Sequence, residues 1–164
     1  MELTKDSYLQ RVEVFAKTET QKLRLSEVYP ETLAYSLVAS GPNIVTKVLS
    51  LMEVDLDKLF HVLKDNLTKK AKEHASKTQS DFNSISLSRQ TIAVMASTKE
   101  CCVSMGDPII GSQHLLLALL KSDSKSKMVF GKFDITFVKL TEALKEMVSL
   151  NKESGTTPPD FDES

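Results

Sequence analysis

The residue types able to carry catalysis or hold a metal are few in this chain. Its histidines are His61, His74 and His114, and its cysteines are Cys101 and Cys102. No two of the histidines stand at metal-ligand spacing and no cysteine lies within a few residues of one, so a zinc site is not expected. A cysteine nucleophile would need a base and an orienting group, and only His114 is near enough in the chain to offer one. Two adjacent cysteines on a helix point about 100° apart, which sends one toward the core and leaves the other more exposed. With no third cysteine they frame no disulfide network and read as reduced thiols. His114 opens a very apolar run, where packing or capping is the ordinary use of an imidazole. The single Gly-Lys pair, Gly131-Lys132, has Ser126 where a phosphate loop needs its first glycine and Phe133 where it needs a hydroxyl, so ATP hydrolysis has no seat. The carboxylates are scattered, mostly near lysines, as on a solvated surface. No catalytic, cofactor-binding or metal-binding residue is assigned.

The totals agree with a protein of ordinary globular make-up. The 164 residues are 41% hydrophobic and 26% charged, with 21 Lys and Arg against 22 Asp and Glu for a net charge of -1. No basic block is present to neutralise nucleic-acid phosphates. The polar N-terminus lacks the apolar stretch of a signal peptide, and no run approaches the roughly 18 apolar residues of a membrane span. A cytoplasmic protein with no nucleic-acid or membrane partner is expected.

Glycine and proline occur only five times each, so few breakers interrupt the body of the chain and helix is favoured. Leu9, Val12, Ala16 and Leu23, with Phe15 beside them, predict one long amphipathic helix over about 6–25. Pro30 suits the first position of a short helix through Leu33, Leu37 and Val38. After Ser40-Gly41-Pro42, Ile44 to Met52 mark a third helix. Asp55 then caps a fourth that carries Leu56, Leu59, Phe60, Leu63 and Leu67.

After a polar stretch the pattern returns. Ser88 caps a long helix with Ile92, Met95, Ala96 and Val103 on its inner face. Gly106-Asp107-Pro108 ends it, and Ser112 to Leu120 form a short, very apolar helix. Met128 to Phe130 belong to a third, and Asp134 caps a fourth through Phe137, Leu140, Leu144, Met147 and Val148. The halves overlay at a shift of about 80 residues in the first helix, pairing Val12 with Ile92, and of 82 in the short one, pairing Leu37 with Leu119. The expectation is an all-α protein with almost no strand: two tandem four-helix repeats, about 3–67 and 86–150, forming one pseudo-twofold domain over 1–150. The short apolar helix of the second half is expected to pack between that half's first and fourth helices.

Leu87-Ser88, Met105-Gly106-Asp107, Ile110 and His114-Leu115-Leu116-Leu117-Ala118-Leu119-Leu120 resemble, in order and spacing, the N-terminal Clp repeat domain of the Clp-family AAA+ unfoldases. The likeness spans about residues 3–150, with Thr32 and Ala34 in the first half standing where the family has histidine and leucine. It implies a domain that captures substrate polypeptides or adaptor proteins, here in a chain without the ATPase modules. In some relatives a hydroxyl before the first helix and the glutamate before the histidine hold phosphorylated arginine. The second half keeps Ser88 but has Gln113 for the carboxylate, and a neutral amide cannot form the charge-assisted bidentate pair with a guanidinium. The first half keeps Glu31, with Ser7 the nearest hydroxyl. Ser7, Glu31, Ser88 and Gln113 are therefore the candidate peptide-binding residues.

Two readings follow from the resemblance. One is a non-catalytic module for substrates or adaptors of a AAA+ unfoldase or protease, using an apolar groove between the halves. The other is a stand-alone regulator, an inhibitor or decoy, acting in trans on an ATP-dependent protease. The segment 151–164 has one Lys against Glu153, Asp160, Asp162 and Glu163, which makes it net -3 and leaves a body of net +2. It reads as a flexible acidic tail.

Overall fold

A computed structural model describes the backbone of residues 4–154 and the side chains of residues 4–148. The first half holds strand β1 (Thr4–Lys5), helix α1 (Ser7–Lys22), strand β2 (Glu27–Val28) and helices α2 (Pro30–Ala39), α3 (Ile44–Leu51) and α4 (Leu56–His74). The second holds β3 (Ser86–Leu87), α5 (Arg89–Ser104), β4 (Ile109–Ile110), α6 (Ser112–Lys121), α7 (Lys125–Lys132) and α8 (Phe137–Ser154), with one 3-10 turn (Phe82–Ser84) before β3. The protein is all-α, as two four-helix repeats. α8 runs on through Asn151–Ser154, the first residues of the segment read as a tail, and the remainder of that segment lies outside the described residues.

Local chemistry sets the helix boundaries. Asp6 caps α1 by accepting from Leu9 N at 2.7 Å, and Ser88 caps α5 by accepting from Thr91 N at 3.1 Å. Asp55 caps α4, accepting from Lys58 N. Four helices close with one motif. After α1, for example, Leu25 N donates to Thr20 O at 2.9 Å and Arg24 N to Gln21 O at 3.0 Å, and α3, α5 and α7 repeat both bonds. The motif places a residue in the left-handed region: Arg24 (φ 59°), Glu53 (φ 64°), Gly106 (φ 72°) and Asp134 (φ 62°). Only one of the four is the glycine that this backbone favours.

These ends correct the sequence register. The first helices match at a shift of 82, so Leu9 corresponds to Thr91, Val12 to Val94 and Ala16 to Thr98, and all six are buried. The hydropathy pattern of α5 had selected the wrong face: Ile92 is 57% and Val103 63% exposed, while the buried stripe runs through Thr91, Val94, Thr98, Cys101 and Cys102. The threonines can face inward because Thr91 Oγ1 donates to Val28 O and Thr98 Oγ1 to Val94 O. Asp134 is likewise not the cap of α8. It occupies the left-handed position after α7, as Glu53 does after α3, and Thr136 Oγ1 accepts from Lys139 N at 3.2 Å in the capping place.

The repeats are interlocked. β1 pairs in parallel with β4, Lys5 opposite Ile110, and β2 pairs with β3, Val28 opposite Leu87, so each half's first strand joins the other half's second. Each short pair leads into a helix N-terminus: Asp6 N donates to Ile110 O at 2.9 Å and Ser88 N to Val28 O at 3.0 Å. α2 and α6 form the centre, buried along nearly their whole lengths. α2 packs on α1 and α4, and α6 on α5 and α8, while the two also touch each other. α4 of the first half rests on α7 of the second, and α8 of the second on α3 of the first. α6 is thus not confined between the first and fourth helices of its own half, since α1, α2 and α3 also contact it.

Candidate functional site

A groove of about 960 Å³ opens between α8 and the wall formed by α5, β4 and α6. Ile109, Phe137 and Val148 reach it with 47%, 36% and 45% of their surface exposed, so three large apolar side chains border one opening. Leu117, Leu144 and Met147 form its buried floor. The first half contributes Asp6 and Ile44, so the groove belongs to the second repeat and is closed off by residues of the first, not a slot running between the halves.

Gly111 is the reason the β4–α6 junction is tight. Asp6 Oδ2 lies 3.0 Å from the place a Cβ on Gly111 would take, and Gln113 Oε1 folds back over the same spot. That amide oxygen is buried without a hydrogen-bond partner among the described residues. Burial raises the Asp6 carboxyl above its ordinary range, against the lowering effect of the bond from Leu9 N and of His114.

His114 is fully buried and its Nδ1 accepts from Gly111 N at 2.9 Å, so the proton sits on Nε2, which donates to Asp107 Oδ2 at 2.7 Å. The imidazole ties the entry of α6 to the end of α5, a capping role. Thr32 does the corresponding work in α2, where its Oγ1 accepts from Tyr29 N at 3.3 Å. The departure from histidine in the first half therefore keeps the bond and loses the reach to a second loop.

The four candidate residues fall into two places. Glu31, the second residue of α2, is 3% exposed with Oε1 unpaired among the described residues, and Ser88 lies at the same junction, held to Val28 O. Gln113, the second residue of α6, corresponds to Glu31 and borders the groove. Ser7 is exposed as the first residue of α1 and corresponds to Arg89. At the 82-residue register the counterpart of Ser88 is Asp6, a carboxylate. The sequence reading missed Asp6 as a site residue, and matching the helix caps would have found it.

Cys101 borders the groove and Cys102 is in the core, both buried. Burial pushes both thiols up, away from the thiolate a nucleophile requires. His61 Nδ1 donates to Asp57 O at 2.8 Å on its own helix, and His74 stacks obliquely on Tyr29. Among the described residues no group of three or more His, Cys, Asp or Glu could hold a metal ion, and no helix is long and apolar enough to cross a membrane.

An all-helical double repeat is the architecture of the Clp N-terminal domains. The family model described as the Clp repeat (R) N-terminal domain matches residues 9–133, and the chain belongs to that family, a non-catalytic protein-interaction part of AAA+ chaperones. Its fold is similar to that of the Hsp104 N-terminal domain from Candida albicans, with a TM-score of 0.67 at 13% identity over 96% of this chain and 95% of that one. The N-terminal domain of the ClpV1 ATPase of the E. coli EAEC Sci1 T6SS gives 0.70 at 17% over 98% and 91%. A structure described as a peptide from the EAEC T6SS Sci1 SciI protein gives 0.70 at 17% over 98% and 94%. No curated protein matches the sequence.

Proposed function

We propose that the chain is a non-catalytic module that recognises substrate polypeptides or adaptor proteins for a AAA+ unfoldase or protease system in the cytoplasm. The carrying observation is the groove whose exposed Ile109, Phe137 and Val148 stand over a leucine and methionine floor. Two helices with apolar facing surfaces make the kind of slot that accepts an apolar stripe from another chain. The fold relative described by the SciI peptide supports a polypeptide ligand. Gln113 and Asp6, which border the groove, would supply polar contacts beside the apolar ones, and Glu31, Ser88 and Ser7 lie outside its lining.

The test is titration of a fluorescein-labelled, permanently unfolded casein. Saturable binding is expected, with Ile109→Asp and Val148→Asp each weakening it at least about tenfold, the usual effect of removing an apolar anchor, while circular dichroism and melting stay as in the parent. Full affinity in both variants would remove the groove from the reading. No ATP hydrolysis is expected from the purified chain. A one-to-one complex with an intact ATPase ring, without affinity for unfolded casein, would favour the regulator acting in trans.

A further inference from the structure

The two helix junctions carry the same polar content with the charge moved. At the start of α2 the helix supplies a carboxylate, Glu31, and the facing cap of α5 supplies a hydroxyl, Ser88. At the start of α6 the helix supplies an amide, Gln113, and the facing cap of α1 supplies the carboxylate, Asp6. Glu31 is shut away at 3% exposure, whereas Asp6 lines the open groove. One Asp6 oxygen is used on Leu9 N and the other faces the β4–α6 junction.

Along the α6 wall the opposite charge stands at the other end. Lys121 is the last residue of α6, lines the groove, and has no carboxylate within 4.0 Å among the described residues; its Nζ lies 5.8 Å from the centroid of the Phe137 ring. Eight residues separate Gln113 from Lys121, which is about 12 Å of helix. Of the other charged groups in the groove, Asp107 is engaged by His114 Nε2, and Lys145 stands on the α8 wall.

We propose that the groove reads charge order: it takes an amphipathic helix whose apolar stripe is flanked by a Lys or Arg, placed at Asp6, and by an Asp or Glu two turns away, placed at Lys121. The inference rests on the reading of the groove as a polypeptide site and specifies its ligand. Two turns is the spacing at which residues seven or eight apart return to one helix face, so one helical segment can meet both charges while its stripe fills the floor.

Three synthetic helical peptides with one leucine stripe provide the probes: one with Lys and Glu two turns apart, one with Gln in place of the Lys, one with Gln in place of the Glu. Asp6→Asn keeps a good cap for α1 and removes the charge. It is expected to weaken the Lys/Glu peptide about tenfold, a modest value for a close ion pair at an interface, and to leave the peptide lacking Lys nearly unchanged. Lys121→Met is expected to do the same for Glu, and both couplings should shrink with added salt.

Equal losses for all three peptides, or none, while Ile109→Asp abolishes binding, overturn the charge order and leave the groove standing. Unchanged affinity in both Ile109→Asp and Val148→Asp overturns the groove and the charge order together, as does failure of the parent protein to bind any peptide. Uniformly raised affinity after removal of 151–164 would assign the groove to the chain's own acidic segment. A dimer dissociated by Ile109→Asp would assign it to a second copy. Either result overturns the proposal.

Discussion

α2 and α6 occupy equivalent central positions and are made of different chemistry. α6 is a run of leucines from Leu115 to Leu120 broken by Ala118, all buried, whereas α2 buries Thr32, Ala34, Tyr35 and Ser36 among its leucines. The Thr32 and Ser36 hydroxyls are accommodated because both find a partner within one turn: Ser36 Oγ donates to Thr32 O at 2.7 Å, and Thr32 Oγ1 accepts from Tyr29 N. The position demands volume and satisfied hydrogen bonds more than it demands hydropathy. A buried helix can carry hydroxyl side chains when these bond within a turn of the same helix.

The comparison can be broken at its apolar contacts first. Leu37 and Leu119 correspond at the 82-residue register and both are fully buried, so Leu37→Ala and Leu119→Ala should each lower stability by about 2–5 kcal/mol. Chemical denaturation measures both, and a loss below about 0.5 kcal/mol at either site would end the equivalence of the two helices. The caps differ by a smaller amount. His114→Ala removes an acceptor from the buried Gly111 N–H and a donor from Asp107, an expected cost of about 2–3 kcal/mol, while Thr32→Ala removes one bond and should cost about 1 kcal/mol. Equal costs would mean that the Asp107 contact adds nothing.

The smallest effect sharpens the likeness of the halves. Glu53 is exposed and holds φ at 64°, as its counterpart Asp134 holds 62°, whereas the same motif after α5 uses a glycine, Gly106, at 72°. Glu53→Gly should raise stability by up to about 1 kcal/mol, because the left-handed conformation costs a residue with a Cβ roughly that much. A loss would show that the Glu53 side chain makes a contact worth more than the strain.

Much of this architecture is legible from the residues. Pro30 at the start of α2, Asp55 and Ser88 as caps, and the leucine stripe of α4 each place an element correctly, since capping and periodicity are local properties. The inner face of α5 is not legible that way. Its exposed side carries Ile92 and Val103 and its buried side two threonines and two cysteines, and a hydropathy count assigns such a helix backwards. The error propagated to the site: a shift of 80 in the first helix sets Tyr8 opposite Ser88 and leaves Ser7 only the nearest hydroxyl, where capping bonds and strand pairing put Asp6.

What the chain determines by itself is the eight helices, their order and their grouping into two similar sets, because these follow from local hydrogen-bonding and spacing. The absence of a phosphate loop is equally a property of the sequence. What the tertiary structure decides is the exchange of strands between halves. A two-residue strand has too little pattern to announce its partner, and only the packed helices bring Lys5 beside Ile110 and Val28 beside Leu87. That exchange carries Asp6 to the far repeat and sets it at the groove, so a charge lining the groove is chosen by pairing across more than a hundred residues of chain, which no local spacing records.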